Sequence, residues 1–217
     1  MDLEEVWRIR EEEIYPRLFG SESRGIFPLT GDIFTSRFGQ STYDPRWLFY
    51  GVFEFAPTFD RPFWLYVTSA HSNPWEDEAG AYDPNGASGS GVEFLFASSQ
   101  QGDWAIRFLQ NMLAFDILLS AGRFEGRSPL TAGDRIPLRS PIDGLDVCEI
   151  RNAVVSRAEG LPAGFSLPSG NVEFLTFTGV TDREIDFAKA ESSQALMDRL
   201  RVRGHFPVTD PLRPSVL

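Results

Sequence analysis

The sequence predicts a single domain of mixed α and β structure in which helices cover a β-sheet. The chain has 217 residues, 42% of them hydrophobic, and it shows no internal repeat or linker, as is typical of one globular core. Residues 47–55 are apolar on both alternating faces as far as Glu54, which indicates a strand buried on both sides. Residues 104–121 are apolar around most of a helix, which indicates a helix packed on a sheet.

The first third of the chain contains a helix and the first strands. Asp2 is a suitable N-cap for a helix over residues 3–18, which carries an apolar stripe. Residues 20–31 are predicted to be a loop and residues 33–38 a short strand. Strands over 47–55 and 63–69 are separated by a turn that contains two prolines, so we expect them to form a hairpin.

The remaining elements follow in a mixed order. Gly89 and Gly91 lead into a strand over 91–98, in which Val92, Phe94 and Phe96 share one face. Thr181 and Glu184 form a capping-box pattern that opens a helix running to about residue 189. Further strands are predicted over 146–157, 171–178 and 205–209, and a further helix over 193–203. We expect the domain to span residues 1–210 and residues 211–217 to form a tail.

Composition excludes several classes of function. The net charge of −11 disfavours nucleic-acid binding, which needs a clustered positive surface. Cys148 is the only cysteine, so no intramolecular disulfide can form, and two histidines do not suffice for a usual zinc site. No apolar run reaches the ~20 residues that span a bilayer. The charged N-terminus, residues 1–17, is unlike a secretory signal, so we expect a cytoplasmic protein without a metal or cofactor.

Catalytic templates fit the sequence poorly. Residues 88–91 resemble half of a nucleophile elbow but precede a strand, whereas the elbow follows one, and they lack the Gly-Lys-Ser/Thr of a phosphate loop. A hydrolase could use Glu54 and Glu93 as a carboxylate pair, or His71 as an acid/base. The alternative is that both carboxylates are paired or solvated and that His71 is structural.

The long polar loop over residues 71–91 is the strongest candidate for recognition. It places Trp75 and Tyr82 beside Asp83 and Asn85, and aromatic anchors with acidic and amide groups suit capture of a peptide, particularly a basic one. The alternative is that Trp75 anchors its own loop.

Several segments, in order along almost the whole chain, resemble the Suppressor of fused family. The opening helix from Glu5-Val-Trp to Tyr15-Pro-Arg resembles that family's first helix, and Asp44-Pro-Arg-Trp-Leu-Phe-Tyr50 resembles the entry to its first long strand. Trp64-Leu-Tyr-Val-Thr-Ser-Ala-His-Ser72 and Ser88-Gly-Ser-Gly-Val-Glu-Phe-Leu-Phe96 are similar to two further family motifs. Shorter matches follow at 133–138, 140–143, 170–175, 179–181 and 208–213.

The resemblance implies an α+β fold with a central mixed, largely antiparallel sheet flanked by helices, like the N-terminal domain of the animal proteins, and no enzymatic activity. Those proteins bind a peptide between two lobes, and this chain corresponds to the first lobe. Trp75 and Asn85 fall where the family has a peptide-contacting tyrosine and aspartate. Bacterial relatives imply an immunity protein that neutralises a toxin. We therefore expect a non-enzymatic domain that binds a protein partner through Trp75, Tyr82, Asp83, Asn85 and Glu93.

Overall fold

The N-terminal segment folds into one nearly continuous helical rod against the sheet. The computed structural model describes residues 3–75 and 83–217. Helix α1 (Leu3–Arg8) passes through a π-helical stretch (Ile9–Ile14) into α2 (Tyr15–Phe19). The predicted helix is therefore present, and Pro16 is tolerated because it lies in the first turn of α2.

In the part of the chain that the structure describes, a nine-stranded mixed sheet forms the centre of the domain. Its strands are β1 (Glu22–Pro28), β2 (Gly51–Phe55), β3 (Trp64–Ser69), β4 (Ala87–Ser98), β5 (Arg135–Pro137), β6 (Ile150–Arg157), β7 (Gly164–Leu167), β8 (Gly170–Thr181) and β9 (Val208–Thr209). The order is β1-β2-β3-β4-β8-β6-β5, with β7 paired to β8 and β9 to β4. The β4–β8 and β4–β9 pairs are parallel and the other pairs are antiparallel. The predicted fold class and the β2–β3 hairpin are confirmed.

Strand β4 divides the apolar core into two layers. Phe94 and Phe96 face helix α3 (Asp103–Ser120), while Leu95 and Ala97 face the cluster that contains Val6, Tyr15 and Phe19 of the N-terminal rod. This two-sided burial explains why the central strands have apolar residues on both faces. Helices α4 (Asp182–Ala190) and α5 (Ser193–Val202) enclose a third cluster against β6 and β8. The predicted Thr181–Glu184 capping box begins α4.

Two predictions in the first third were wrong. Residues 22–28, predicted as loop, form the edge strand β1, and residues 33–37, predicted as strand, form a short π-helical turn. Phe34 in that turn is buried with the α3 layer, and Phe38 stacks on Phe115 of α3. A short apolar run has no decisive period, so packing against α3 decides its conformation.

The predicted strand over 47–55 is shorter than expected. Its first part is a 3-10 helix, Pro45–Phe49, in which the Asp44 carboxylate accepts a hydrogen bond from the Arg46 backbone N–H. Asp44 as N-cap and Pro45 at the first helical position are a helix-start signal that outweighs the β-type residues after them. The strand then begins at Gly51, and Phe49 is left at the surface with 57% of its area exposed.

Residues 211–217 have no regular secondary structure, but Arg213 is buried against the body of the domain. Its guanidinium donates to both carboxylate oxygens of Glu184, at 2.6 and 2.7 Å, and to the Gly179 carbonyl.

Candidate functional site

The candidate site surrounds the end of β3 and the start of β4, where the two strands separate. Their ladder ends at the pair Val67–Leu95, and beyond it the Thr68 hydroxyl accepts the Phe94 backbone N–H at 2.7 Å. Glu93 occupies the fork between the strands. Its carboxylate accepts hydrogen bonds from the Thr68 hydroxyl at 2.5 Å and from the backbone and side chain of Ser72 at 2.9 and 2.6 Å. Glu93 therefore fixes the first residues after β3.

The buried position of Glu93 corrects its predicted role as a partner contact. The residue has no exposed surface, and both of its carboxylate oxygens are bound within the protein. A carboxylate is stable in such a place only when donors surround it. Glu93 accordingly holds the start of the loop through its bonds to Ser72, and its side chain is not accessible to a partner.

Arg10 joins the N-terminal helical rod to the same fork. It is fully buried and donates to the Ser69 hydroxyl at 2.9 Å, the Ser72 hydroxyl at 3.2 Å and the Asn73 side-chain oxygen at 2.7 Å. The Glu11 carboxylate pairs with Arg10 at 3.0 Å. Because Ser72 also donates to Glu93, a continuous polar network connects the rod, β3 and β4.

Three partly exposed aromatic side chains meet above this network, and we call Trp7, Phe49 and Trp75 the aromatic platform. The ring centroids are 5.8 Å apart for Trp7–Phe49, 6.2 Å for Trp7–Trp75 and 6.1 Å for Phe49–Trp75. Trp75 also donates its indole N–H to the Tyr50 hydroxyl at 3.0 Å. Burial raises the pKa of Tyr50 to about 12, so this hydroxyl remains protonated at neutral pH.

The position of Trp75 is compatible with both interpretations of this residue, an anchor of its own loop and a contact for a partner. The side chain anchors its own segment through Tyr50, yet it remains partly exposed beside Phe49. Sequence reasoning missed Trp7, which it assigned to the inward stripe of a helix, and Phe49, which it assigned to a strand. The Asp44-Pro45 start signal could have revealed Phe49, whereas nothing local brings Trp7 to Trp75.

The other predicted contacts lie beyond the platform along the chain. Asp83 and Asn85 are exposed, and the Asp83 carboxylate accepts the Asn85 backbone N–H at 2.9 Å, which shapes a local turn. The Asn85 carbonyl accepts a hydrogen bond from Asn171 at the start of β8. Tyr82 falls outside the described residues. Asp83 and Asn85 therefore keep side-chain surface available for a partner.

The structure separates the two carboxylates of the hydrolase alternative. Glu54 pairs across the strands with Tyr66, and Tyr66 with Phe96, so Glu54 lies on the α3 face of the sheet. Glu93 is offset from Phe96 by three residues and lies on the opposite face. The Glu54 carboxylate is held by a bidentate pair with Arg24, at 2.8 and 2.7 Å, and by Gln101. The two carboxylates cannot flank one substrate bond.

His71 is a structural histidine. It is 4% exposed, its ring lies against Phe94 at 5.3 Å, and its Nε2 lies 2.8 Å from the Asp116 carboxylate of α3. The other Asp116 oxygen accepts the Leu130 backbone N–H. His71 thus ties the end of β3 to α3 and to the segment after it. Cys148 is also buried, as predicted for a small packed side chain.

Gly89 allows the start of β4 to lie directly on the segment after β3. Its φ is +54°, and a Cβ there would lie 2.5 Å from the Asn73 carbonyl oxygen and 2.6 Å from the Ser72 carbonyl carbon. The neighbouring Ser88 and Ser90 hydroxyls donate to the Ser72 and His71 carbonyls. The glycine-rich turn is therefore an anchor for the platform segment.

We expect Gly89→Ala to destabilise the domain by more than the ~1–2 kcal/mol that a left-handed conformation alone costs, because backbone atoms must also move. Gly122→Ala is the matched control, since Gly122 has φ +68° and a Cβ added there would meet no atom within 4 Å. Urea unfolding of both variants measures the difference. Equal losses of unfolding free energy in the two variants would show that the close approach to residues 72–73 does not contribute to the cost.

Comparison with known proteins agrees with this architecture. The model of the family described as Suppressor of fused protein matches residues 49–214. A chain of the Sufu–Fu complex crystal structure superposes with a TM-score of 0.67 at 21% identity, covering 99% of this chain and 91% of that one. Drosophila Suppressor of Fused gives 0.58 at 22% identity, over 77% of this chain but only 42% of that one. A Neisseria gonorrhoeae homologue gives 0.53 at 16% identity, with 77% and 78% covered.

The chain folds into a mixed α+β domain with one sheet between helical layers, and its aromatic platform lies beside the residues that follow β3. The chain belongs to the Suppressor of fused family, because the family model matches well over half of its length. It spans less than half of the Drosophila protein that it resembles. The comparison with curated proteins gave no match. Within the described residues, no helix is long and apolar enough to cross a membrane.

Proposed function

We propose that this chain is a non-enzymatic domain that binds a protein partner on the aromatic platform and the adjoining residues Asp83 and Asn85. The observation that carries the proposal is the platform itself. Three aromatic side chains from separate segments converge at the surface, and Phe49 is exposed over 57% of its area. Aromatic residues on a rigid support are the usual energetic centres of protein interfaces.

The support beneath the platform favours a preformed binding surface. Trp75 follows Ser72 and Asn73, which are fixed by Arg10 and Glu93, so its backbone is ordered before any partner arrives. Preorganisation reduces the entropic cost of association. The exposed Asp83 carboxylate lies on the same connecting segment and would favour a partner with basic groups.

The relatives support a protein as the partner. One structure similar in fold is a chain of a Sufu–Fu complex. The resemblance to bacterial relatives leads us to propose a toxin as the specific partner class. Expression of the captured partner with and without this chain tests that finer proposal, and a partner without any growth effect would contradict it.

We expect Phe49→Ser to weaken partner binding by about 30-fold, the effect of losing a hot spot worth about 2 kcal/mol. The matched control is Phe59→Ser. Phe59 is fully exposed on the turn at the far end of β2, whereas Phe49 precedes the start of that strand. The tagged chain first captures its partner from the source cells, and calorimetric titration of the purified partner then gives the dissociation constants.

Trp75→Ala should weaken the same complex by at least a similar factor, because it removes one platform ring that contacts both others and also the contact with Tyr50. Circular dichroism and urea unfolding establish that each variant is folded. If Phe49→Ser binds like the parent chain, or if Phe59→Ser loses as much affinity as Phe49→Ser, the platform is not the binding surface.

A further inference from the structure

A polar cavity lies beside α3, and none of its lining residues belongs to the aromatic platform. Its volume is about 180 Å³, and its wall includes Arg37, Trp104, Arg107, Asn111 and Ser140. Arg37 ends the short π-helical turn, Arg107 and Asn111 lie one turn apart on α3, and Ser140 belongs to the segment between β5 and β6. Three separate segments thus contribute polar groups to one cavity.

Two arginines without a carboxylate partner among the described residues line this one cavity. The chain carries a net charge of −11, and the exposed guanidinium groups of Arg8, Arg24 and Arg201 pair with carboxylates. Arg37 and Arg107 form no ion pair with any residue in the described ranges, although both line the same cavity. Among the described residues, Asp143 is the one carboxylate in the wall, and one of its oxygens accepts the Leu145 backbone N–H. The cavity therefore has an excess of positive charge.

Two neutral polar side chains also line the cavity, beside apolar residues such as Phe108 and Leu138. The Asn111 amide and the Ser140 hydroxyl make no side-chain hydrogen bond to the part of the chain that the structure describes. Two guanidinium groups with an amide and a hydroxyl supply more donors than a carboxylate can accept, whereas a phosphate group has three terminal oxygens. The donor set favours phosphate over carboxylate.

The segment that closes the cavity has a strained backbone. Arg139 has φ +65°, in the left-handed region that non-glycine residues rarely adopt, and it directly precedes Ser140. Such outliers occur often where a segment shapes a ligand site. The Leu138 N–H donates to the Arg151 carbonyl and the Ile142 N–H to the Ile150 carbonyl, so β6 holds both ends of this turn in place.

From this geometry we infer that the cavity binds a phosphate group between Arg37 and Arg107. The group belongs either to free phosphate or to a phosphorylated side chain, since each presents at least three terminal oxygens to hydrogen-bond donors. The site is independent of the proposed partner surface, because none of its lining residues belongs to the aromatic platform.

The test is an NMR titration of the full chain with two probes, inorganic phosphate and N-acetyl-O-phospho-L-serine amide, at matched ionic strength in sodium chloride. The reporter is the indole N–H resonance of Trp104, assigned with Trp104→Phe. We expect saturable shifts with a dissociation constant on the order of 1 mM or below for at least one probe. Stronger binding of inorganic phosphate indicates the free ion, and stronger binding of the phosphoserine probe indicates a phosphorylated side chain.

The Arg107→Gln variant should weaken that binding at least about tenfold, which corresponds to ~1.4 kcal/mol. Arg183→Gln is the matched control, because Arg183 is an exposed arginine of α4 that does not line the cavity. The absence of saturable shifts with both probes would overturn the inference, as would an Arg107→Gln titration identical to that of the parent chain. Partner capture through the platform is unaffected by either result.

Discussion

Replacing Arg10 with methionine is expected to lower the free energy of unfolding by about 3–5 kcal/mol. Arg10 is fully buried, and its guanidinium bonds to Ser69, Ser72, Asn73 and Glu11. Methionine can fill part of the volume but donates no hydrogen bond, so these polar groups would remain buried without their partner. The Ser72 hydroxyl, which donates to the Glu93 carboxylate, would lose the hydrogen bond that it accepts from Arg10.

Arg8→Met is the matched control for Arg10→Met. Arg8 lies on the same helical rod, and its pair with Glu13 is exposed on both sides. Solvent screens an exposed ion pair, so this pair contributes little to stability. Urea unfolding followed by circular dichroism should therefore separate the two variants clearly. A loss for Arg10→Met no larger than that for Arg8→Met would mean that the network is dispensable for stability.

Arg10→Met also tests whether the buried network orders the aromatic platform. If Arg10 orders the segment that carries Trp75, Arg10→Met should weaken partner binding under conditions in which the variant is still folded. The effect should be smaller than that of Trp75→Ala, because the platform rings themselves remain. Undiminished affinity would indicate that the packing of Trp75 on Tyr50 and Trp7 is enough to order the site.

Local sequence signals predicted the elements whose pattern is complete within a few residues. The Thr181–Glu184 capping box and the two-sided strand around Phe94 required no knowledge of distant residues. The Arg10 network could not be predicted in this way. Arg10 lies 59–63 residues from Ser69, Ser72 and Asn73 in the chain. Three glutamates follow it directly, and such a run by itself indicates a solvated helix face.

The burial of Glu93 could have been predicted from its position in the strand pattern. The alternation along β4 places Glu93 on the same face as Leu95 and Ala97, both of which are core residues. A carboxylate on a core face must find donors inside the protein. That argument predicts burial and a structural role, whereas its acidic character alone suggested a contact for a basic partner. The exposed Asp83 is the residue for which that second argument still holds.

The C-terminal segment depends on a comparable buried pair, and Arg213→Leu is expected to cost about 3–5 kcal/mol of unfolding free energy. Arg213 and Glu184 expose almost no side-chain area, and the arginine is the bidentate partner of the carboxylate. The exposed pair Lys189–Asp186 on the same helix offers the control Lys189→Leu, for which we expect at most about 1 kcal/mol.

The pH dependence of this pair distinguishes a lost ion pair from lost packing. Burial by itself would raise the pKa of Glu184, but the hydrogen bonds and charge of Arg213, with backbone donors at Thr181 and Val216, outweigh it and hold the pKa below the usual 4.5. The stabilisation from this carboxylate is therefore complete above pH 4.5 and declines as the pH falls through its lower value in the folded protein. In Arg213→Leu the Glu184 carboxylate lacks its cationic partner. Protonation of Glu184 at acidic pH therefore restores part of the lost free energy of unfolding.

Urea unfolding at about pH 7 and about pH 3.5 measures how the stability difference between the parent chain and Arg213→Leu depends on pH. We expect the stability gap between the parent chain and Arg213→Leu to be largest at neutral pH and to narrow in acid, while the gap for Lys189→Leu stays small at both values. A gap for Arg213→Leu that is the same at both pH values would assign its loss to packing of the aliphatic part of Arg213. A narrowing gap would show that residues 211–217 are held to α4 by charge.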